Sequence, residues 1–271
     1  MQFQNPPIVE LVVELKWASV GAAPAPVGIP QGIPYPELPN TAHEKFLSDF
    51  QQLAAESGWK RSERLMPPGF PCLRFQPALR IRSDDPGRLS TLLQVGPGVF
   101  SVHALRPYKS WETFWPVAQE GIDLLLKARH DAEKLQPFFS ANVMYVDVFE
   151  ESIIGERSVP QFLKDVLGFG LSLPAVMREQ VSNEDQIDIQ LSLKLPLQDE
   201  LEMRLSIDGK TVWGDKRGIP MRMIVSSRRI LSPELKDISA VFEASHLAIR
   251  HTFVGLTERI HSKMGPIGEE L

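Results

Sequence analysis

Residues Ile8 to Trp17 (IVELVVELKW) alternate in part between aliphatic and charged positions, the pattern of a strand with one buried face. A loop from Ala18 to Pro39 follows, carrying Pro24, Pro26, Pro30, Pro34, Pro36 and Pro39. Proline has no amide to donate and fixes its own φ, so this segment can be neither helix nor inner strand. It reads as a surface crossover rather than a lid or partner-binding arm. Thr41-Ala42-His43-Glu44 fits a capping box, and Phe46, Phe50, Leu53 and Ala54 supply the helical stripe that Gly58 ends. Extended segments are expected at Trp59 to Leu65, Cys72 to Arg82, Leu89 to Val95 and Val99 to Leu105. Pro67-Pro68-Gly69 and Gly96-Pro97-Gly98 supply turns between them. A second helix begins between Ser110 and Thr113 and ends by Arg129 to His130, with Phe114, Ala118, Ile122, Leu125 and Leu126 on one side. Pro116 is best tolerated in a first turn, which favours a start nearer Thr113.

The pattern then restarts. Asn142 to Phe149 reads as a strand, and Ser158-Val159-Pro160-Gln161 as a capping box opening a short helix that ends at Gly168 to Gly170. Extended segments are expected at Pro174 to Val181, Ile187 to Leu195, Leu201 to Ile207 and Met221 to Ile230. Asp208-Gly209 marks a tight hairpin leading to a short piece at Lys210 to Trp213. Ser232-Pro233 opens the last helix, whose stripe runs through Leu235, Ile238, Phe242, Ser245, Ile249, Phe253, Leu256, Ile260 and Met264 to a stop at Gly265-Pro266.

Each half therefore shows a strand, a helix, about four strands and a helix. The expectation is an α+β fold made of a duplicated unit, residues 1–136 with the proline-rich loop at 18–39 and residues 137–265, followed by a tail at 266–271. Short turns within each set of four strands favour antiparallel sheets backed by helices. This order is the plan of the TATA-binding-protein fold. Two independent α+β domains joined near Leu135 to Ser140, or a helix-grip arrangement with the last helix across a curved sheet, are the alternatives.

Composition narrows the functional classes. The chain has 271 residues, 43% hydrophobic and 23% charged, enough for a real core. With 29 basic and 34 acidic side chains the net charge is -5, which disfavours a broad phosphate-binding surface. One cysteine, Cys72, forms no internal disulfide and reads as a small buried hydrophobe. No secretion signal is expected in Met1 to Pro7, and Glu10 and Glu14 interrupt the best apolar stretch, so a cytoplasmic location without membrane attachment is expected.

Several stretches resemble a sporadically distributed family of bacterial proteins of about this length, for which no activity is established. Asn5-Pro6-Pro7-Ile8-Val9-Glu10 with Val12 and Glu14 is similar to its N-terminal signature. Gln94-Val95-Gly96-Pro97, Phe100-Ser101-Val102, Leu105, Pro107-Tyr108, Trp111 and Phe114 are similar to its central one, and Phe242 to Phe253 with Leu256-Thr257 to its C-terminal helix. Where the family often shows Arg-Tyr-Ile-Asn, this chain has Met144-Tyr145-Val146-Asp147, and its proline-rich loop is longer. The resemblance implies one architecture along nearly the whole chain and supplies no catalytic residues.

The six histidines offer no metal-ligating spacing, and no phosphate-binding glycine loop or nucleophile elbow occurs, so no metal and no cofactor are expected. Acidic pairs such as Asp84-Asp85 and Glu184-Asp185 fall at turns and read as solvent-facing loop residues. Three constellations remain. Glu243, His246 and Arg250 form a stripe at i, i+3 and i+7, which is either a general base beside an anion-binding cation or a solvated, weakly paired stripe, the latter preferred. Arg106, Tyr108, Lys109 and Trp111 meet at a strand-to-helix corner that could hold a ring or an interface, although simple packing is preferred. Lys216-Arg217, Arg222, Arg228 and Arg229 could form a cationic strip if alternate residues face outward, with the chain's own carboxylates as the preferred partners. The reading is a non-enzymatic binding or interaction protein, most simply a homodimer. Its sporadic distribution suits an accessory partner in a defence, immunity or toxin–antitoxin system. The alternatives are an enzyme or binder acting on a small anionic ligand through His246, Arg250 and the Arg228-Arg229 strip, and a nucleic-acid-binding saddle.

Overall fold

A computed structural model describes residues 2–18, 35–36, 41–67, 70, 73–209, 212–213 and 216–267. Cys72 and most of the proline-rich loop lie outside these residues, as does the side-chain placement of Lys216 and Arg217. The described residues form an α+β fold dominated by one large antiparallel sheet.

Strand β1 (Ile8–Trp17) and helix α1 (Thr41–Glu56) are followed by β2 (Arg61–Arg64), β3 (Leu79–Arg82), β4 (Thr91–Gly96), β5 (Val99–Leu105) and helix α2 (Trp111–Ala128). The second half supplies β6 (Phe138–Glu150), α3 (Val159–Asp165), β7 (Gln190–Pro196), β8 (Leu201–Asp208), β9 (Lys216–Ser227) and α4 (Leu235–Thr257). The spatial order is β7-β8-β9-β6-β1-β5-β4-β3-β2, with Val212–Trp213 added alongside β9. Pairing of β1 with β6 over most of their length makes the sheet continuous across the two halves, which excludes two independent domains.

Alternation assigns the two faces. Leu11, Val13, Leu15 and Trp17 are each at most 1% exposed and lie beneath the helices, beside Phe100, Val102 and Val143 in register. Burying side chains of this size stabilises by about 1.5–3 kcal/mol each, which is why the alternation fixes the register. Helix α2 approaches the sheet closely at Gly121, where a Cβ would stand 2.9 Å from Leu93 and 3.2 Å from Phe100. The opposite face carries paired polar groups: Glu10 with His103, Lys16 with Glu14, and Asn142 with Glu14. No helix among the described residues is long and apolar enough to cross a membrane.

Several expectations need correction. Pro174 to Val181 is not extended: Ala175–Arg178 is a short helix. Helix α2 starts at Trp111, so Pro116 sits in its second turn rather than its first, and Ser110 with Thr113 forms the capping box. The last helix starts at Leu235 with Glu234 before it and no side-chain cap, so Ser232-Pro233 precedes the helix instead of opening it. Pro266–Ile267 does not belong to a loose tail; it pairs with Gln2–Phe3, tying the two ends of the described chain together.

Candidate functional site

The site lies at one end of the β1–β6 pair, where α2 and α4 converge on the sheet. Residues Tyr145 and Asp147 of β6 point to the helix side, in the same parity as buried Val143 and Phe149. Ile8 joins them because a β-bulge between Ile8 and Glu10 shifts the register and turns Ile8 inward, opposite Asp147. The corner from β5 into α2 closes the end. Arg106 donates from Nε to the carbonyl of Ile8 at 2.9 Å and from its terminal nitrogens to the carbonyl of Pro7 at 3.1 Å and Glu150 at 2.6 Å. That clamp holds the N-terminal strand against the corner. The Ser110 cap then aims the first turn of α2, and with it Trp111, over the sheet.

The space between them is a cavity of about 110 Å³ that opens to solvent on one side. Its inner wall is polar, formed by Tyr108, Tyr145, Asp147 and His246, and its outer walls are apolar, formed by Phe3, Ile8, Ile249 and Phe253. Lys109, Glu112 and Arg250 are exposed residues at its mouth. The Tyr145 hydroxyl and Nδ1 of His246 are 2.8 Å apart. The His246 ring lies flat on the Trp111 indole, which also stacks on Trp115 at 5.2 Å and donates its N–H to Glu243 at 2.7 Å.

Electrostatics set the protonation states. Burial pushes the Asp147 carboxyl up to about 7, against the pull of the Arg106 charge. Burial, with the Arg250 charge adding to it and Glu112 opposing, pushes His246 down to about 4, so the ring is neutral at pH 7. Burial likewise raises the Tyr108 and Tyr145 phenols well above their ordinary value. Asp147 is 2% exposed, and its Oδ2 is enclosed without a hydrogen-bond partner. An unsatisfied buried carboxylate oxygen costs on the order of 1–3 kcal/mol or more, so it calls for an explanation in a ligand or in protonation.

The candidate residues from the sequence divide into two groups. Tyr108, Trp111, His246 and Arg250 meet at this cavity, with Glu243 held one step behind Trp111. His246 is therefore not on a solvated stripe: it is 7% exposed and packed between an indole and a phenol. Arg106 braces the site from behind. Arg228 and Arg229 do not join it. Both lie beyond the Ser227 end of β9, whereas Met221 and Met223 of that strand are the residues in register with Asp147 and Tyr145. Arg229 reaches Glu200 at 3.9 Å, and Arg222 is exposed on the face away from the helices. The His246, Arg250 and Arg228-Arg229 grouping is thus broken by the topology.

Sequence reasoning missed Tyr145 and Asp147 as site residues, and a second arrangement on the open face. There Ser101 Oγ is 2.9 Å from His103 Nε2, and His103 Nδ1 is 2.8 Å from Glu10 Oε1. The order resembles a hydrolytic triad. However, Ser101 is 3% exposed and its strand is paired on both sides, opposite Glu14 and Gln94, so no backbone N–H there is spare for an oxyanion. It is a polar ladder stabilising the uncovered face. No family model matches the chain, and no curated protein matches it.

Proposed function

We propose that this chain is a binding protein whose working site is the cavity between β6, α2 and α4, and that it takes a ligand about the size of one ring. The observation that carries this reading is Asp147, a nearly fully buried carboxyl with an unpartnered oxygen in the wall of a cavity whose other charged lining residues, Lys109, Glu112 and Arg250, are exposed at its mouth. A closed apolar cavity of roughly 150 Å³ holds benzene, so this one, at about 110 Å³ and open at its mouth, takes a single ring with part of the ligand at the entrance. Small-molecule sites combine apolar walls with a few convergent polar groups. A ligand-observed NMR screen with small aromatic fragments of positive, negative and neutral charge tests it. Binding should be found, and should be lost in Val254→Trp, which fills the mouth from a half-buried helix position. Absence of any binding fragment, or binding indifferent to that substitution, would sink the reading.

The duplicated architecture belongs to the same proposal. In each half the first strand takes the centre of the sheet and the last strand lies beside it, giving β1 next to β5 and β6 next to β9. That parallel order supports two copies of one unit, 1–136 and 137–265, arranged as in the TATA-binding-protein plan, and it favours this over a helix-grip arrangement. The site would then sit where the copies meet. A binding role also suits the accessory defence, immunity or toxin–antitoxin part suggested by the family resemblance. The mixed charges of the open face, with Glu10, Glu14 and Glu202 beside Lys16 and Arg222, speak against a nucleic-acid saddle.

A second reading, self-association, is favoured by the outer edge. Among the described residues strand β7 is paired only with β8, and Leu195, with Leu171, Val176 and Met177 from the preceding segment, is exposed. The other edge, β2, is exposed throughout and charged at Arg61, Glu63 and Arg64, which blunts it. An antiparallel edge can pair with its own copy about a two-fold axis, so a second copy is the occupant proposed here. Sedimentation analysis should give a dimer that Ser192→Pro converts to monomer; a monomeric wild-type chain would refute it.

A further inference from the structure

The cavity's ligand class can be named from the same groups, and this step rests on the binding reading above. We infer that the cavity selects a small organic ammonium carried on an apolar or aromatic body, with Asp147 as its counter-ion.

The argument starts from what Asp147 lacks. The cation whose charge acts on it is Arg106, yet the hydrogen bonds of that guanidinium go elsewhere, to the carbonyls of Pro7 and Ile8 and to Glu150. Arg106 is consequently fixed by the fold and is not a counter-ion that could swing in. The other inner-wall groups cannot neutralise the carboxylate either. His246 is held neutral by burial, with Nδ1 already engaged by Tyr145. The Tyr108 and Tyr145 phenols stay protonated, and deep in the cavity each is a neutral dipole. The polar wall is thus one ionisable carboxyl among uncharged groups, and a cation entering from solvent would supply the missing charge. Around it, the aromatic rings of Phe3, Tyr108, Tyr145 and Phe253 line the cavity, and the face of an aromatic ring attracts an ammonium and disfavours an anion. A buried charge pair is favourable only when the ion is also well packed, which the apolar body provides.

Lys109, Arg250 and Glu112 face the site from the corner, from α4 and from α2, but they are exposed at the mouth. Water and salt screen charges there, whereas the interior pair is screened much less. The mouth cations therefore do not reverse the preference set inside.

Calorimetric titrations of the full chain with benzylamine, benzyl alcohol and benzoate separate the terms, because the three probes share one ring and differ in charge. At about pH 8, where Asp147 is ionised and benzylamine protonated, benzylamine should bind at least ~10-fold tighter than benzyl alcohol, and benzoate weakest. At about pH 5 the wild-type preference should collapse as Asp147 takes up its proton. Asp147→Asn should bind the amine and the alcohol equally at both values. Equal binding of amine and alcohol by the wild type near pH 8, or benzoate binding tightest, would overturn the ammonium assignment while leaving the cavity reading intact. Persistence of the amine preference in Asp147→Asn, or in the wild type at low pH, would do the same. Failure of all three probes to bind would remove both.

Discussion

His246 lies flat on Trp111, with ring centroids 4.3 Å apart and planes 1° from parallel, although the two residues are 135 positions apart and come from different helices. Trp111 is 5% exposed and also carries the stack on Trp115 and the hydrogen bond to Glu243, so one side chain joins α2 to α4. Trp111→Ala should lower unfolding stability by about 3–5 kcal/mol in urea titrations. Trp111→Phe, which keeps one six-membered ring and loses the pyrrole ring with its N–H, should cost less, about 1–2 kcal/mol. Equal losses for the two would contradict the stacking account.

Asp147 and His246 pull stability in opposite directions with pH. The carboxyl is raised in the folded state, so its contribution is fully present below about 4 and is lost as pH rises through about 7. The imidazole is depressed, so its contribution is present above about 6.5 and is lost as pH falls through about 4. Between these limits the slopes partly cancel. Asp147→Asn should leave a chain that loses stability on acidification across this window, and His246→Gln one that loses stability on alkalinisation, each by on the order of 2–3 kcal/mol. Denaturant midpoints measured at intervals across the window check the two signs independently.

The strands were legible wherever one face is buried and the other solvated. Ile8 to Trp17 ends in the structure where its alternation ends, because each side chain on the helix side is driven under the helices. Val99 to Leu105, by contrast, is buried on most of both faces and was delimited by the Gly96-Pro97-Gly98 turn. Segments with neither signal were not legible. Pro174 to Val181 is exposed along its length and packs on little, so local hydrogen bonds to the carbonyls of Pro174 and Ala175 turn it into a short helix. For the site, Tyr108, Trp111, His246 and Arg250 stood out as polar or aromatic residues at helix starts and stripes. Tyr145 and Asp147 did not, because they sit inside an apolar strand where polar side chains look like ordinary alternation. The available signal was parity. With Val143 and Phe149 facing the core, Asp147 had to face it too, and a core-facing acid is rarely idle.

Gly96 tests the turn that the sequence marked between β4 and β5. A Cβ there would stand 2.0 Å from the carbonyl oxygen of Gln76, a backbone atom that cannot step aside as a flexible side chain can. Gly96→Ala should therefore destabilise by at least ~2 kcal/mol, visible as a fall in Tm. Gly170→Ala, with nothing within 4 Å of its Cβ, should be near neutral in the same assay.

Arg106 should behave as a brace. Arg106→Lys cannot hold the Pro7 and Ile8 carbonyls and Glu150 at once, so the N-terminal strand should loosen by about 1–2 kcal/mol. Amide exchange should rise at the β1 end near Ile8 and stay unchanged at Val13 to Leu15. Uniform acceleration along β1 would show that the clamp is not local.

The central claim is that a small ligand enters beside Trp111, and the indole N–H resonances report it most directly. Trp17 is sequestered beside Phe46 and Phe138, and Trp59 beside Arg88, whereas Trp111 lines the cavity. Titration with benzylamine should move the Trp111 indole resonance, assigned by Trp111→Phe, while those of Trp17 and Trp59 hold still. An unmoved Trp111 signal under saturating probe, or equal shifts at all three indoles, would contradict the account.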